Sequence, residues 1–463
     1  MPAACGNRRS GPGTSRPGRW CFIDWSMKMD RLLPGAEPSG VKLMTAVSEN
    51  ETGALPPLPL PGERTCPFGP PPEYEDLRAG HPVIRVACPT GVDAWLVSRY
   101  ADVRHVLGEP ELFSNRAGVA AHILLGFGGR DVPVGEGEFP RMDGAEHLRF
   151  RRHMAPEVSN MKRINQLRPL VQKLVDRQLD LLANTPPPVD LYSAFARPVT
   201  TAVIAGLLDV PEADRPLFQR AAEALNAGAS SAEEVAAALR PLFEYLYMMV
   251  VTRRADPGED VISRMIVRSD QTDRPFTDTE LVSMSAALLL AGYDTTASLI
   301  SHSIVALLEH PQELQRLRAD PTLAGSAAEE MVRYLGVGGG LLREVTRDTE
   351  IAGQPVKAGD FVVVAVQSAN RDSALYPDGD RLDIGRTSGA HLGFGHGPHQ
   401  CVGQQLARLE LTSVLGTVPR RIPTLRLAVP FEEIRFKTNS AVLGPVAVPA
   451  TWDEIVPALE TEA

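Results

Sequence analysis

The sequence predicts a mainly α-helical protein with small β-sheets, the α+β class. Amphipathic patterns of helical spacing recur through the middle of the chain, at 161–184, 194–208, 231–254 and 277–309. Short apolar runs bounded by turn residues predict strands at Val83–Ala87 and Ala94–Ser98. The β-branched run at 361–366 predicts a further strand within a second mixed region over 341–366.

The segment 277–309 is the longest predicted helix and carries an unusual polar tract. Its pattern far exceeds the mean helix length of about 12 residues, and Pro311 is expected to close it. The tract reads Ala291-Gly292-Tyr293-Asp294-Thr295-Thr296. Adjacent Asp and Thr residues are poor helix formers because their side chains compete for backbone groups. The tract therefore indicates either a function or a local kink with a useful hydrogen bond.

The N-terminal part of the chain differs in composition from the rest. Residues 1–65 are rich in Gly, Pro, Arg and Ser and lack apolar periodicity, which predicts a disordered or extended tail before a folded domain at 66–463. We also hypothesise that translation starts at Met44 rather than at residue 1. Peptides from 1–43 in mass spectra of the native protein would contradict that start site.

Composition excludes several classes of partner. The chain has 463 residues, 43% of them hydrophobic, and a formal net charge of −10, without a long basic run. Nucleic acid is therefore not an expected partner. No apolar stretch approaches the roughly 20 residues of a membrane span. Four cysteines, Cys5, Cys21, Cys66 and Cys88, are scattered without pair spacing, which favours a reducing cytoplasmic location.

The fifth cysteine, Cys401, lies in a glycine-rich tract that predicts a loop running into a helix near Val402. The tract reads His391-Leu392-Gly393-Phe394-Gly395-His396-Gly397-Pro398-His399-Gln400-Cys401-Val402-Gly403-Gln404-Gln405-Leu406-Ala407-Arg408. Backbone N–H groups and the positive end of a helix stabilise a thiolate. Glycines at 395, 397 and 403 allow a flat cofactor to approach the backbone.

A zinc cluster is an alternative interpretation of the same tract. It would use His391, His396, His399 and Cys401. Closed zinc sites normally draw ligands from paired, spaced elements, and no second Cys or His pair occurs elsewhere in the sequence. The sequence therefore favours a cysteine-ligated cofactor over zinc.

The pattern Phe394-Gly395-x-Gly397-x-His399-x-Cys401-x-Gly403, followed by Leu406-Ala407-Arg408, resembles the haem-binding signature of the cytochrome P-450 family, the haem-thiolate monooxygenases. The resemblance implies a single-domain, triangular-prism fold with a long central helix over the haem. It implies haem b (iron protoporphyrin IX), with Cys401 as the axial iron ligand. The absence of an N-terminal apolar helix resembles the soluble bacterial type, expected to be a monomer.

The polar tract in the long helix resembles the family's oxygen-activation motif. The resemblance makes Asp294 the acid and Thr295 the alcohol of a proton supply to iron-bound dioxygen. A hydroxyl can position water, and a carboxyl can relay protons from solvent. Small residues at 291 and 292 leave room beside the helix.

Other residues acquire roles through the same resemblance. Glu330, Arg333 and Arg386 match a buried structural triad that braces the cysteine loop. Propionate partners are expected because two buried carboxylates require cations and hydrogen bonds. The expected haem contacts are His147, Arg151, Arg343, His399, Phe394, Gly395, Gly403 and Ala291.

Substrate contacts are expected from position in the resemblance. The candidates are Ile123, Leu124, Leu125, Leu288, Gly292, Val337, Leu342 and Val442. Consecutive glycines at 338–340 favour an open pocket wall and a bulky substrate, such as a macrolide or polycyclic antibiotic scaffold. The same glycines could instead shape a turn into the next strand.

The predicted function is insertion of one oxygen atom of O2 into a small lipophilic secondary metabolite, by hydroxylation or epoxidation. No dinucleotide fingerprint or iron–sulfur cysteine set remains, so NAD(P)H electrons are expected through a ferredoxin and its reductase. Basic residues at 149, 152, 162 and 163 are candidates for docking that partner. A peroxide-driven peroxygenase and a noncatalytic haem-thiolate sensor or recruitment protein are the alternatives.

Overall fold

The computed structural model describes residues 55–58, 67–88, 91–116, 134–226, 232–338, 341–387, 390–437, 440 and 442–458. The helices are α1 Glu73–Ala79, α2 Tyr100–Gly108, α3 Gly144–Val158, α4 Met161–Ala183, α5 Arg197–Leu208, α6 Arg215–Asn226, α7 Ala232–Ala255, α8 Val261–Asp270, α9 Asp278–Glu309, α10 Pro311–Ala319, α11 Ala324–Leu335, α12 Val366–Ala369 and α13 Gln404–Arg421. The strands are β1 Val83–Ala87, β2 Asp93–Val97, β3 Phe113–Ser114, β4 Val189–Asp190, β5 Leu341–Val345, β6 Thr349–Ile351, β7 Gln354–Val356, β8 Phe361–Val364, β9 Arg426–Leu427 and β10 Pro449–Thr451. The predicted mainly α class with small sheets is confirmed.

Helix α9 has well-defined ends and runs without a break through the polar tract. Thr277 and Glu280 form a reciprocal capping box at its N-terminus. The helix ends at Glu309, and Pro311 opens α10 at a first-turn position, where its missing N–H costs nothing. The prediction of a helix over 277–309, closed before Pro311, is confirmed.

Two apolar cores meet along α9. The N-terminal half of α9 packs with α3, α4, α5 and α7 in a cluster that includes Met154, Leu246 and Leu281. The C-terminal half packs with α4, α11 and α13 in a second cluster, around Ile300 and Val414. The polar tract at 291–296 therefore lies at the junction of the two cores, where polar side chains displace the least apolar packing.

The main sheet has five strands in the order β1-β2-β8-β5-β3. β2 runs parallel to β8, and β5 pairs antiparallel with β8, with Arg343 opposite Val362. The strand predicted to extend to residue 366 ends at Val364, because 366–369 turn into the short helix α12. This register places Arg343 at a buried position within the sheet, opposite Val362.

Two further observations bear on the ends and surface of the fold. Pro57, within the segment expected to be a tail, forms a parallel bridge to Ala87, and the Leu58 N–H donates to the Ala87 carbonyl at 2.8 Å. Among the described residues, the helix Glu234–Ala255 is long and apolar enough to cross a bilayer, although 39% of its most apolar window is buried. One such helix is weak evidence for a span, because core helices of similar composition occur.

Candidate functional site

Close backbone contacts hold the cysteine loop between two helices. A Cβ atom at Gly393 would lie 2.5 Å from Val332 Cγ1 of α11. A Cβ at Gly397, whose φ is +72°, would lie 2.6 Å from the Leu107 carbonyl oxygen of α2. Because neither position tolerates a side chain, glycine is required for the loop to pack against both helices.

Cys401 lies where this loop enters α13. Its N–H donates to the Phe394 carbonyl at 2.8 Å, and α13 begins at Gln404, two residues beyond the expected start. The side chain retains solvent-accessible surface while protein surrounds it densely, as in a recess. Burial raises the pKa of the thiol, whereas the Gly403 N–H and the cations of Arg151 and Arg408 act to lower it. The N–H group and the two cations favour the thiolate over the neutral thiol.

The zinc alternative is not supported. Within the described ranges, no group of three or more His, Cys, Asp or Glu side chains is arranged to hold a metal ion. The His391 ring is buried and its Nε2 lies 3.0 Å from Glu329 Oε2. The His396 ring packs against the backbone at Gly108, where an added Cβ would lie 3.5 Å from the ring Cδ2 atom. Both histidines therefore pack the loop rather than ligate an ion.

Arg151 and Arg343 form no ion pair with a carboxylate among the described residues, although Arg343 interacts with Asp143 at longer range. Arg343 is 4% exposed, and its guanidinium donates to the adjacent Leu342 carbonyl at 2.7 Å. Burial lowers the pKa of Arg343 to about 10 and also lowers the pKa of Arg151, which interacts electrostatically with Cys401. Buried cations normally pair with anions. An anionic group bound beside Cys401 would supply the missing charge.

Two histidines complete this cationic region. The rings of His147 and His399 stack with centroids 4.0 Å apart. Burial, His399 and Arg151 lower the pKa of His147 to about 4, so its ring is neutral at pH 7. His399 Nε2 lies 2.8 Å from Asp143 Oδ1, and the Ser114 hydroxyl donates to Asp143 Oδ2 at 2.5 Å. His399 Nδ1 lies 3.4 Å from Asn115 Nδ2, so both ring nitrogens of His399 already have partners. His147, Arg151 and Arg343 are the groups that could pair with the two carboxylates of a haem.

The remaining expected haem contacts lie on the loop and on α9. Phe394 lies beneath the Arg408 guanidinium, with 4.5 Å from Cζ to the ring centroid. Gly395 has a φ of +74°, and Gly403 is the N-cap of α13. Ala291 is exposed although the residues of α9 around it are mostly buried. An exposed position in a core helix is consistent with a cavity that a cofactor fills.

Thr295 and Gly292 project differently from α9. The Thr295 hydroxyl donates to the Ala291 carbonyl at 2.6 Å, which satisfies the hydroxyl inside the helix. Thr295 is half-buried. A Cβ at Gly292 would lie 3.1 Å from Ile204 Cδ1, so this glycine packs closely against α5 rather than facing open space.

Asp294 is held by two residues that the sequence did not identify. The Tyr192 hydroxyl donates to Asp294 Oδ1. Lys437 Nζ lies 3.1 Å from Asp294 Oδ2, 3.0 Å from Ser298 Oγ and 3.2 Å from the Tyr192 oxygen. Burial, followed by the charge of Asp294, raises the pKa of Tyr192. A lone lysine and a lone tyrosine far from α9 in sequence carry no pattern that could have identified them.

A second polar chain leads from the same region to the surface. Arg197 Nη2 donates to the Tyr293 hydroxyl oxygen at 2.6 Å and also pairs with Glu223, which is largely exposed. The Arg197 guanidinium also lies over the Tyr192 ring, 5.6 Å from its centroid. Arg197 therefore joins the exposed Glu223 to the Tyr293 hydroxyl through hydrogen bonds and contacts Tyr192 through the face of its ring.

The expected structural triad is brought together. The Glu330 carboxylate accepts hydrogen bonds from Arg333 Nε at 2.7 Å and from Arg386 Nε at 3.2 Å. The Arg333 side chain is fully buried and also donates to the Asn370 carbonyl at 2.7 Å. This arrangement joins α11 to the segment that precedes the cysteine loop.

The candidate substrate residues fall into different environments. The three at 123–125 lie outside the described residues. Val442 forms a bridge with Gly338, and the Leu443 N–H donates to the Val337 carbonyl at 2.8 Å, so Val337 and Val442 share one wall. Two others are buried within apolar clusters and are not on this wall: Leu288 and Leu342.

Comparison with known proteins gives consistent results. A sequence profile of the family described as Cytochrome P450 matches residues 89–422. The chain is 40% identical to Cytochrome P450-SU2 of Streptomyces griseolus, over 85% of this chain and 97% of the relative. It is 39% identical to pentalenic acid synthase of Streptomyces avermitilis, over 88% of this chain and 100% of the relative. Identity to the 20-oxo-5-O-mycaminosyltylactone 23-monooxygenase of Streptomyces fradiae is 36%, over 85% and 92%.

Solved structures agree in fold. CYP105P1 in complex with filipin I superimposes with a TM-score of 0.79 at 39% identity, covering 85% of this chain and 98% of that one. CYP105P2 of Streptomyces peucetius, in complex with a biphenyl compound, superimposes with a TM-score of 0.78 at 40% identity. The match covers 87% of this chain and 100% of that one. The family carries haem and takes NAD(P)H electrons through redox partners. On its sequence match, its fold and its relatives, the chain belongs to the cytochrome P450 family of haem-thiolate monooxygenases.

Proposed function

We propose that the enzyme inserts one oxygen atom into a bulky lipophilic secondary metabolite, by hydroxylation or epoxidation. The observation that carries this proposal is the buried contact of Asp294 with Tyr192 and Lys437 one residue before Thr295. A peroxide-driven enzyme or a sensor needs no proton supply of this kind. The names of relatives support the substrate class, since one acts on 20-oxo-5-O-mycaminosyltylactone and one was solved with filipin I.

The proposed haem site uses Cys401 as the axial ligand and His147, Arg151 and Arg343 as partners of the propionates. Haem supplies the binding and activation of dioxygen. Arg343 interacts with Asp143 but forms no ion pair in the described part of the chain, which supports its assignment, because a propionate would give this buried cation a directly bound counter-charge. Asp143 orients the His399 ring by accepting a hydrogen bond from its Nε2.

In the proposed proton supply, Thr295 holds a water or substrate oxygen at its hydroxyl on the exposed side of α9. Asp294 is the carboxyl group proposed to relay protons to this water. The ammonium group of Lys437 and the hydrogen bond donated by the Tyr192 hydroxyl to Asp294 Oδ1 keep the carboxylate oriented. General acid catalysis by positioned groups of this kind contributes roughly 10²–10⁴-fold to rate.

The proposed electron donor is a ferredoxin with its reductase, and the proposed location is the cytoplasm. Of the four basic residues considered for docking, Arg152 and Lys162 are exposed. Arg149 is occupied by Glu280, with Nη1 2.6 Å from Oε1, which makes it a poor docking residue. A docking surface would therefore use residues 152 and 162 rather than 149.

The experiment starts from the purified holoenzyme and a collection of macrolide and polycyclic metabolites. A bound substrate is expected to shift the ferric haem from low to high spin. The positive compounds are then incubated with NAD(P)H, ferredoxin, reductase and ¹⁸O₂, and the product is expected to gain one ¹⁸O atom. Product formation with peroxide alone at an equal rate, or no oxygen gain with any spin-shifting compound, would contradict the proposal.

A further inference from the structure

Glu329 makes three contacts that do not belong to the structural triad. Its Oε1 accepts from Arg408 Nε at 2.5 Å, and its Oε2 accepts from Arg408 Nη2 at 3.1 Å. Oε2 also lies 3.0 Å from His391 Nε2. One carboxylate of α11 therefore binds residues on both sides of the cysteine, ten residues before it and seven after it.

The contact with His391 has a defined tautomer. The Gly393 N–H donates to His391 Nδ1 at 3.2 Å, so Nδ1 is the acceptor and the ring proton is on Nε2. That proton points to Glu329. The side chain of His391 is 3% exposed, which shields this hydrogen bond from water. Glu329 thereby fixes the start of the cysteine loop on α11.

The contact with Arg408 places a cation near the cysteine. The Arg408 guanidinium lies over the Phe394 ring, and the Phe394 carbonyl accepts the Cys401 N–H at 2.8 Å. Arg408 Nη1 donates to Gln404 Oε1 at 2.8 Å, which completes its set of partners. Arg408 also interacts electrostatically with Cys401 and favours its thiolate. The position of this cation depends on the carboxylate that binds it at two nitrogen atoms.

The adjacent Glu330 serves a separate network. It binds Arg333 and Arg386, and none of its described contacts is to Arg408 or to His391. Consecutive helix residues project about 100° apart, since a turn holds 3.6 residues. Glu329 is 33% exposed at its side chain and Glu330 1%. The two carboxylates are therefore chemically similar but bind different residues: Glu329 binds His391 and Arg408, and Glu330 binds Arg333 and Arg386.

We propose that Glu329 is a positioning residue that sets the electron affinity of the haem iron through Arg408, by neutralising and orienting the cation beside the thiolate segment. The inference rests on the proposed assignment of Cys401 as the iron ligand. Loss of the Glu329 charge leaves Arg408 uncompensated, which favours the state with one more electron. Loss of Arg408 removes a cation and favours the state with one electron fewer.

The test measures the midpoint potential of the holoenzyme in three variants. Glu329→Gln keeps the size and one oxygen acceptor, and it is expected to raise the equilibrium constant for iron reduction about tenfold, which is about 59 mV for one electron. Arg408→Gln is expected to lower the potential. Glu350→Gln removes the same charge from an exposed position on β6 and is expected to leave the potential unchanged.

Opposite signs for Glu329→Gln and Arg408→Gln distinguish this role from general loosening of the loop, which would move both variants in one direction. An unchanged potential in Glu329→Gln, or shifts of the same sign, would overturn the proposal. Should Arg408→Gln fail to bind haem, Arg408→Lys keeps the charge but loses the paired contact and is expected to shift the potential less than Glu329→Gln. A wild-type protein without the thiolate spectrum of the reduced carbon monoxide complex would instead refute the Cys401 assignment.

Discussion

The ammonium nitrogen of Lys437 lies 3.1 Å from Asp294 Oδ2 and joins the C-terminal segment to the centre of α9. Water reaches little of this ion pair, because the exposed fractions are 17% for the lysine side chain and 6% for the aspartate. Lys437 also binds Ser298 and Tyr192. The pair therefore supports both the packing of that segment and the orientation of the proposed catalytic acid.

Replacement of Lys437 by Met is expected to lower the free energy of unfolding by about 3 kcal/mol, because Asp294 is left as a buried charge without its cation. Urea unfolding of the holoenzyme measures the change. Lys357→Met is the matched control, since Lys357 pairs with Asp348 at a largely exposed position, where ion pairs contribute little to stability. Equal losses of unfolding free energy in the two variants would show that the Lys437–Asp294 pair stabilises the fold no more than an exposed ion pair does.

Replacement of Thr295 by Ala is expected to retain haem but to divert NAD(P)H electrons into hydrogen peroxide. The product formed per NAD(P)H consumed should fall on the order of tenfold, since the hydroxyl oxygen that positions a water for proton delivery is lost. Ser301→Ala is the control, because its hydroxyl makes the same bond to a carbonyl four residues earlier, at Ala297, but lies away from the tract. Undiminished coupling in Thr295→Ala would refute the role.

Replacement of Glu330 by Gln is expected to abolish stable haem incorporation. The change leaves Arg333 as a buried cation without its carboxylate, which costs about 3–5 kcal/mol and loosens the segment before the cysteine loop. The haem-to-protein ratio after purification measures the effect. Glu109→Gln, at an exposed position following α2, should retain the wild-type ratio. Full haem content with slow turnover in Glu330→Gln would instead favour a catalytic role.

Replacement of Arg343 by Met is expected to have opposite effects on two properties. The haem-free protein gains roughly 1–3 kcal/mol, because a buried cation that forms no ion pair among the described residues is removed. The holoenzyme loses haem faster to an excess acceptor, since a propionate partner is absent. Urea unfolding and haem-transfer kinetics measure the two. Loss of stability in both forms would indicate a purely structural arginine.

The stability of the protein in acid should depend on Glu329. Burial opposes its ionisation, but hydrogen bonds from His391 and Arg408 outweigh that effect and lower the pKa from 4.5 to about 2. A lowered folded-state pKa stabilises the fold at pH values above about 4.5, and the contribution is lost as the pH falls toward 2. Glu329→Gln should flatten the stability profile across this window, and an unchanged profile would contradict the assigned pKa.

Much of the fold follows from local sequence pattern. The strand at 83–87 and the helices at 161–183 and 278–309 agree with their predictions to within one residue at each end, because each has a clear period and a clear stop signal. The strand predicted over 361–366 ends two residues early, because the chain turns into α12. Helices α1, α2, α6, α8 and α10 are 7 to 12 residues long and were not predicted.

The site residues could be predicted where they are adjacent in sequence and form a local motif. The cysteine loop, the Asp294-Thr295 pair and the triad glutamate stand in local motifs. Tyr192 and Lys437 are separated from Asp294 by more than a hundred residues, and only the packing of the C-terminal segment against α9 brings them together. The contact of Glu329 with Arg408 was missed for the same reason, since the pair spans 79 residues.

Neighbouring positions on α11 have a practical meaning for protein engineering. Positions 329 and 330 are both glutamate, yet in the roles proposed for them Glu329 sets how readily the enzyme accepts an electron and Glu330 sets whether the cofactor stays bound. A library that randomises both codons together would confound the two properties. Randomising codon 329 alone offers a route to matching the enzyme to a foreign electron donor while its assembly stays intact.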